Sequence, residues 1–216
     1  MRNLLFFLFY SFVSLNLNAQ DKTQDTQLWC ELKLNIKIAK NIKLSLGEEL
    51  RLINNSSTIG NMPTSLGLTF KMGKVYRIKP TARMSYQNGL NTFRYTLDQS
   101  LKLNLPNKIW WVNRVRLQYT HNYETPLVNF KYRFKSTLVK KLGKDVKMNF
   151  GGEIFYKDFY NFNNLSNYRL QTGLDFELGK DENGTLRLFY IFENEFNEAN
   201  AQINHIYGIS LNFDLF

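Results

Sequence analysis

At 216 residues with 44% hydrophobic side chains, the chain is long enough for one domain of the larger kind, and no internal linker divides it. A single cysteine excludes an intrachain disulfide, and two histidines beside it without ligand spacing argue against a structural zinc site, so neither metal nor cofactor is expected. The formal net charge of +10 would raise nucleic acid as a partner, but the cations are not clustered and they follow an export signal, which leaves no nucleic acid among the expected partners.

That signal comes first in chain order. Arg2 and the amino terminus make a short basic start, Leu4 to Leu17 is a mostly apolar run, and Ala19 is the small residue before Gln20. Residues 1–19 therefore read as a secretory signal peptide. A membrane-spanning helix needs ~20 apolar residues, and this run is shorter and breaks at Asn16 and Asn18. Cys30 lies too far beyond the run to be a lipid-anchored first residue and reads as a small apolar side chain. Residues 20–27 form a mature amino-terminal segment, and 28–216 the barrel reasoned below.

Past residue 26 the pattern has period two throughout, the mark of β-strands. The first segment, "LWCELKLNIKI" (Leu28 to Ile38), sets Leu28, Cys30, Leu32, Leu34, Ile36 and Ile38 on one face and Glu31, Lys33, Asn35 and Lys37 on the other. Ten more follow: Ile42–Leu52, Ser65–Met72, Tyr76–Gln87, Phe93–Leu105, Ile109–Tyr123, Leu127–Val139, Asp145–Lys157, Tyr168–Leu178, Leu186–Phe196 and Ile203–Phe216. Nearly every charge falls opposite the aliphatic face. The basic residues of that charged face are Arg77, Lys79, Arg83, Arg94, Arg114, Arg116, Lys131, Arg133, Arg169 and Arg187; the acidic ones are Glu49, Asp98, Glu153, Asp175, Glu177, Glu193 and Glu195. Glu48 is the exception, and Gly47 beside it predicts a bulge that would return it to the polar face.

A soluble exported β-barrel puts the apolar face inside; a transmembrane barrel turns it out and keeps the charges in the lumen. Most segments run 11 to 13 residues, which exceeds the usual globular ~5–6 and suits a tilted membrane strand of ~9–11. Short connections (39–41, 73–75, 106–108, 140–144, 179–185) alternate with longer, Asn-rich ones (53–64, 88–92, 122–126, 157–167, 197–202), as when short turns face the periplasm. Trp29, Tyr76, Tyr86, Trp110, Trp111, Tyr119, Tyr123, Phe159, Tyr160, Tyr168 and Phe196 lie near segment ends, where aromatic girdles belong. The expected architecture is a closed antiparallel transmembrane β-barrel of about 10–12 strands in the outer membrane of a Gram-negative bacterium. Eleven segments conflict with the even count of bacterial barrels, so either one segment is misread or residues 21–27 run up through the lumen. Pro80, without an N–H in mid-segment, predicts a bulge or a place near a rim.

Five stretches carry a family resemblance: "LWCELKLNIKI", "LGEELRL" (Leu46 to Leu52), "NRVRLQY" (Asn113 to Tyr119), "NYRLQTGLDFEL" (Asn167 to Leu178) and "HIYGISLNFDLF" (His205 to Phe216). With these the chain resembles the DUF2490 family, outer-membrane β-barrel proteins of unknown function, over nearly all its mature length. The resemblance implies a barrel type and no catalytic residues. Phe216 supplies the terminal aromatic residue common in such barrels, one residue out of register with Tyr207, Ile209, Leu211, Phe213 and Leu215.

No catalytic motif is recognisable. No G-x-S-x-G elbow is present, neither histidine has a serine two residues away, and Ser166 and Ser210 have no link to one. His121 and His205 both lie near outer-side segment ends, so the alternative function is a membrane-embedded hydrolase acting on lipid or peptide at the outer surface. "DENG" (Asp181 to Gly184) is too short for a calcium loop and reads as a hairpin turn. The functional hint is the excess of cations on the charged face. Rings of cations in a pore favour anions; cations paired with carboxylates fill a narrow barrel. The leading expectation is a structural or porin-like passive-transport barrel with a basic lumen. Its partners are outer-membrane lipid, lipopolysaccharide and the barrel-assembly machinery.

Overall fold

The computed structural model describes residues 23–87, 90–122, 128–159, 162–179, 183–197 and 201–215. These form eleven strands: β1 (Thr23–Ala39), β2 (Ile42–Ile53), β3 (Thr58–Met72), β4 (Tyr76–Gln87), β5 (Leu90–Leu105), β6 (Ile109–Asn122), β7 (Val128–Lys141), β8 (Val146–Phe159), β9 (Phe162–Leu178), β10 (Gly184–Glu195) and β11 (Gln202–Leu215). Each strand bonds to the next and β11 bonds to β1, so the sheet is a closed barrel with no free edge.

Hairpin-linked strands reverse direction at every turn, so the first and last of an odd set run the same way. The ten hairpin seams are antiparallel. The closing seam is parallel, from Thr23 opposite Gln202 to Ile36 opposite Leu215. No segment is misread, and the even count gives way to eleven. Nor do residues 23–27 run through the lumen ahead of a barrel starting at 28. They belong to the wall, paired with Gln202–Ile206 of β11. The Asn54–Ser57 turn folds over them: the Asn55 amide donates to Asp25 Oδ1 (2.8 Å) and Ser56 Oγ to the Thr26 carbonyl (3.2 Å). The proposed signal peptide, residues 20–22 and Phe216 lie outside the described residues.

Polarity is inverted relative to a water-soluble barrel. Asp98, Gln118, Asn149, Glu153, Asn167, Asp175, Glu193 and Asn204 are buried, while Leu32, Leu66, Val115, Phe134, Phe150, Ile154 and Leu188 are exposed on the outer face. The side-chain period of two produces this directly, because each apolar residue of a strand flanks a polar one turned through the wall.

Glu48 does not return to the polar face. Lys33 stands opposite Gly47 and Leu32 opposite Glu48 in unbroken register, so no bulge forms at Gly47. Gly47 is an inward position whose missing Cβ makes room for Ser65 Oγ, only 2.7 Å from where that carbon would lie. Glu48 faces outward, exposed, and accepts a hydrogen bond from Thr64 Oγ1 (2.9 Å). Its line of ladder partners runs through Thr64, Met84, Phe93 and His121 to Val128, where β7 begins at one rim. In the other direction it runs through Leu32, Leu211, Leu186 and Phe176 to Val146, where β8 begins at the opposite rim. Five strands separate Glu48 from either rim along these lines, so it sits near mid-height.

Pro80 makes no bulge and is not at a rim. Gly67 pairs with Thr81 and Phe70 with Ile78, a constant register, but the two intervening pairs opposite Pro80 and Lys79 form no bridge. On its other side Pro80 pairs with Leu97. The missing N–H therefore opens a gap in one ladder and leaves the alignment intact. Pro63 does the same between β2 and β3, where pairing skips from Glu48–Thr64 to Arg51–Asn61. The loop expected over 53–64 had hidden this second proline inside β3.

The predicted loop asymmetry is also partly absorbed into the strands. β3 begins at Thr58, β5 at Leu90 and β9 at Phe162, so three of the five Asn-rich connections give up residues to strands and the first is left as 54–57. Asn54, Asn55 and Ser56 take left-handed backbone in succession, which short polar side chains tolerate.

Candidate functional site

The lumen holds a cavity of about 400 Å³. Its wall carries eleven basic and five acidic side chains. Twelve of the charged residues singled out from sequence line it: Arg83, Arg94, Arg114, Arg116, Lys131, Arg133, Arg169 and Arg187, with Glu49, Glu153, Glu193 and Glu195. Arg51, Lys135, Lys157 and Glu31 join them. Asp98, Asp175, Arg77, Lys79 and Glu177 do not line it. The first two are buried. Arg77 and Lys79 lie near the start of β4 and Glu177 near the end of β9, toward one rim.

Carboxylates in this interior are held by guanidinium forks, a geometry in which two parallel N–H donors match two oxygens. Glu153 accepts from Arg133 Nε and Nη2 (3.0 Å each) and from Arg114 Nη2 (2.7 Å). Asp98 accepts from Arg116 Nε and Nη2 (2.5 and 2.6 Å), with Arg114 at 3.8 Å. Asp175 is clasped by Arg187 (2.5 and 2.8 Å) and Asn149 (3.2 Å). Glu193 is clasped by Arg169 (2.9 and 3.1 Å) and Asn167 (2.5 Å). Glu49 takes Arg51 (2.8 and 3.1 Å) and, more loosely, Arg83 (3.4 Å). Nearer the rim Glu177 takes Lys147 and, at 3.8 Å, Lys141. Glu31 takes Lys33 (2.7 Å) and Ser210 (2.9 Å).

Aromatic side chains share this interior. Trp29 is 8% exposed and faces inward, with the Arg51 guanidinium 3.9 Å above its ring and that of Arg169 at 5.4 Å. It is no girdle residue. Trp110 also turns inward, under Lys102 Nζ at 4.8 Å, whereas Trp111 faces out and donates to Ser136 Oγ (2.8 Å). Phe155 lies beneath Arg133 (4.4 Å) and Arg169 (4.8 Å). Phe189 packs with Trp29, Ile191 and the fully buried Ile206. Its ring fills the space over Gly208, where a Cβ would lie 2.0 Å from Phe189 Cζ. Tyr123 and Tyr160 lie outside the described residues. Alternation already carried the signal for these inward rings, since Trp29 is two residues from Glu31, Phe155 two from Glu153 and Phe189 two from Arg187.

The family model described as "Protein of unknown function (DUF2490)" matches residues 26–204. The chain belongs to the DUF2490 family. No curated protein matches it. Among solved structures it is similar to the β domain of the Bordetella autotransporter Brka, at 11% identity and a TM-score of 0.51 over 78% of this chain and 82% of that one. At that identity the likeness is one of fold.

In this DUF2490 barrel the two histidines do not approach each other. His121 is on β6 and His205 on β11, five strands apart by the shorter way round the barrel. Both face outward; His205 Nδ1 lies 2.8 Å from the Tyr190 hydroxyl and its ring stacks at 6.2 Å on that residue. Ser166 and Ser210 are buried and bonded to Asn167 and Glu31, and neither is bonded to a histidine. Among the described residues no three His, Cys, Asp or Glu side chains are grouped to hold a metal ion.

Proposed function

We propose that this DUF2490 protein is an outer-membrane barrel whose basic lumen accepts and passes small anions, without a catalytic step. The observation that carries the reading is the cavity wall, with eleven cations against five anions. Fixed cations lower the energy of an anion inside and raise that of a cation, which is how charged rings select in pores. The membrane location is supported by the apolar outer face, the closed sheet and the fold shared with an autotransporter β domain. In hydrocarbon every backbone group must find its partner within the wall, and only a closed sheet or a helix provides that. On this reading residues 1–19 are a signal peptide removed on export. The barrel-assembly machinery inserts the chain, and outer-membrane lipid and lipopolysaccharide cover its outer face.

The test begins with the full chain expressed in a Gram-negative host, which should fractionate as a heat-modifiable outer-membrane protein beginning at Gln20. Reconstituted in a planar bilayer under a chloride gradient, it should conduct with a reversal potential on the anion side. Absence of conductance, or preference for cations, removes the transport reading and leaves a filled structural barrel. Recovery as a soluble protein removes the location as well.

A further inference from the structure

We propose that the lumen contains a defined binding site for a small oxyanion, centred on Arg94 and Arg83. The inference rests on the basic lumen of the proposed function and names what that lumen holds.

Arg83 and Arg94 stand directly opposite each other on β4 and β5, and both line the cavity. Like charges facing each other across a ladder destabilise a sheet unless something neutralises them. The available carboxylates are already engaged. Asp98 and Glu153 are clasped by Arg116, Arg114 and Arg133, and Glu49 by the two-pronged fork of Arg51, which leaves Arg83 a single contact at 3.4 Å. Arg94 has no carboxylate within ion-pair distance among the described residues, and its Nε is shut off from solvent with no hydrogen-bond partner.

A buried guanidinium donor without an acceptor is costly, and a native structure retains one where ordered water, an ion or a ligand supplies the acceptor. The chemistry of that acceptor follows from the donors. Guanidinium forks present paired N–H groups that fit the two-oxygen edge of a phosphate or carboxylate, which a spherical halide does not offer. Two forks side by side suit an anion with several oxygens. A cavity of about 400 Å³ is within the size range of small-molecule sites. The site opens into the lumen, so its ligand is a solute and not the headgroup of a surrounding lipid.

Inorganic phosphate is the probe. Isothermal titration of the detergent-purified full chain at low salt should give saturable binding that survives equimolar chloride. Arg94→Gln should weaken it by about tenfold or more, the size of losing a charge-assisted pair of bonds. Arg94→Lys, which keeps the charge and loses the fork, should fall between the two. Lys43→Gln should leave it unchanged, because Lys43 pairs with Asp214 (3.0 Å) away from the cavity wall. Heat-modifiable migration reports that each variant is folded. No phosphate binding by the wild type, equal binding by folded Arg94→Gln, or equal loss in Lys43→Gln overturns the proposal. A barrel that binds phosphate but does not conduct would lose the passage reading and keep this site; a conducting barrel that binds none would do the reverse.

Discussion

Glu153 shows how much rests on single residues in an inverted barrel. Its side chain is 4% exposed and holds the fork of Arg133 and one N–H of Arg114. Removing one member of a buried ion network leaves its partners charged and unpaired, which costs about 3–5 kcal/mol. Glu153→Gln should therefore lower the urea midpoint of the folded barrel in lipid vesicles by that equivalent, and an unchanged midpoint would mean that lumen water screens the network. At this scale the sequence was informative about side and silent about partner. Alternation sufficed to put Arg114, Arg133 and Glu153 on one face, but nothing in one dimension says that strands β6, β7 and β8 bring these three within 3.0 Å. Glu48 marks the limit of residue-level inference. A rule that charges avoid the apolar face predicted a bulge, whereas the register keeps the carboxylate outward and gives it the Thr64 hydroxyl.

Among the elements, β3 is the strand most loosely laddered. Pro63 interrupts its seam with β2 and Pro80, from β4, its seam on the other side. Gly67, beside the second gap, lies within 3.3 Å of the Pro80 carbonyl by its hypothetical Cβ, so the strands stay in close contact there. Pro80→Val restores an N–H aimed at β3. One added backbone bond should raise stability by about 1 kcal/mol, read by denaturant titration. Slower amide exchange at Leu68 should accompany it. If neither changes, the gap is not caused by the missing donor. Pro80 was readable as a ladder breaker in the sequence. Pro63 escaped because the first part of β3, residues 58–64, mixes Gly and Asn with apolar residues and reads as a loop.

The whole molecule turns on the seam that closes it. Parallel pairing is slightly weaker per residue than antiparallel, and here polar bonds inside the lumen reinforce it. Gln27 donates to Asn204 (3.2 Å), Asn35 Nδ2 to Asn212 (2.7 Å) and Ser210 to Glu31 (2.9 Å). Cys30 faces outward directly opposite Ile209. An Ile209→Cys variant should therefore form an intrachain disulfide with Cys30 under mild oxidation, giving a barrel whose heat-induced gel shift is reduced until a reductant is added. Leu211→Cys, opposite Leu32, should not. Cross-linking with the second variant in place of the first would mean a different register or a different closure.

By itself the sequence determined the all-β class, the eleven strand segments and the two-sided distribution of charge, because strand period and turn residues are local properties. It also identified the family through stretches that are patterns of strand and arginine. Only the tertiary structure decided that β1 runs from Thr23 and closes on β11 in parallel, that Trp29 and Phe155 lie under arginines, and that Arg94 has no carboxylate in reach among the described residues. Those facts depend on which strands are neighbours and in what register. A period of two is the same whichever strand lies alongside, so pairing and register belong to the closed sheet and not to any one segment.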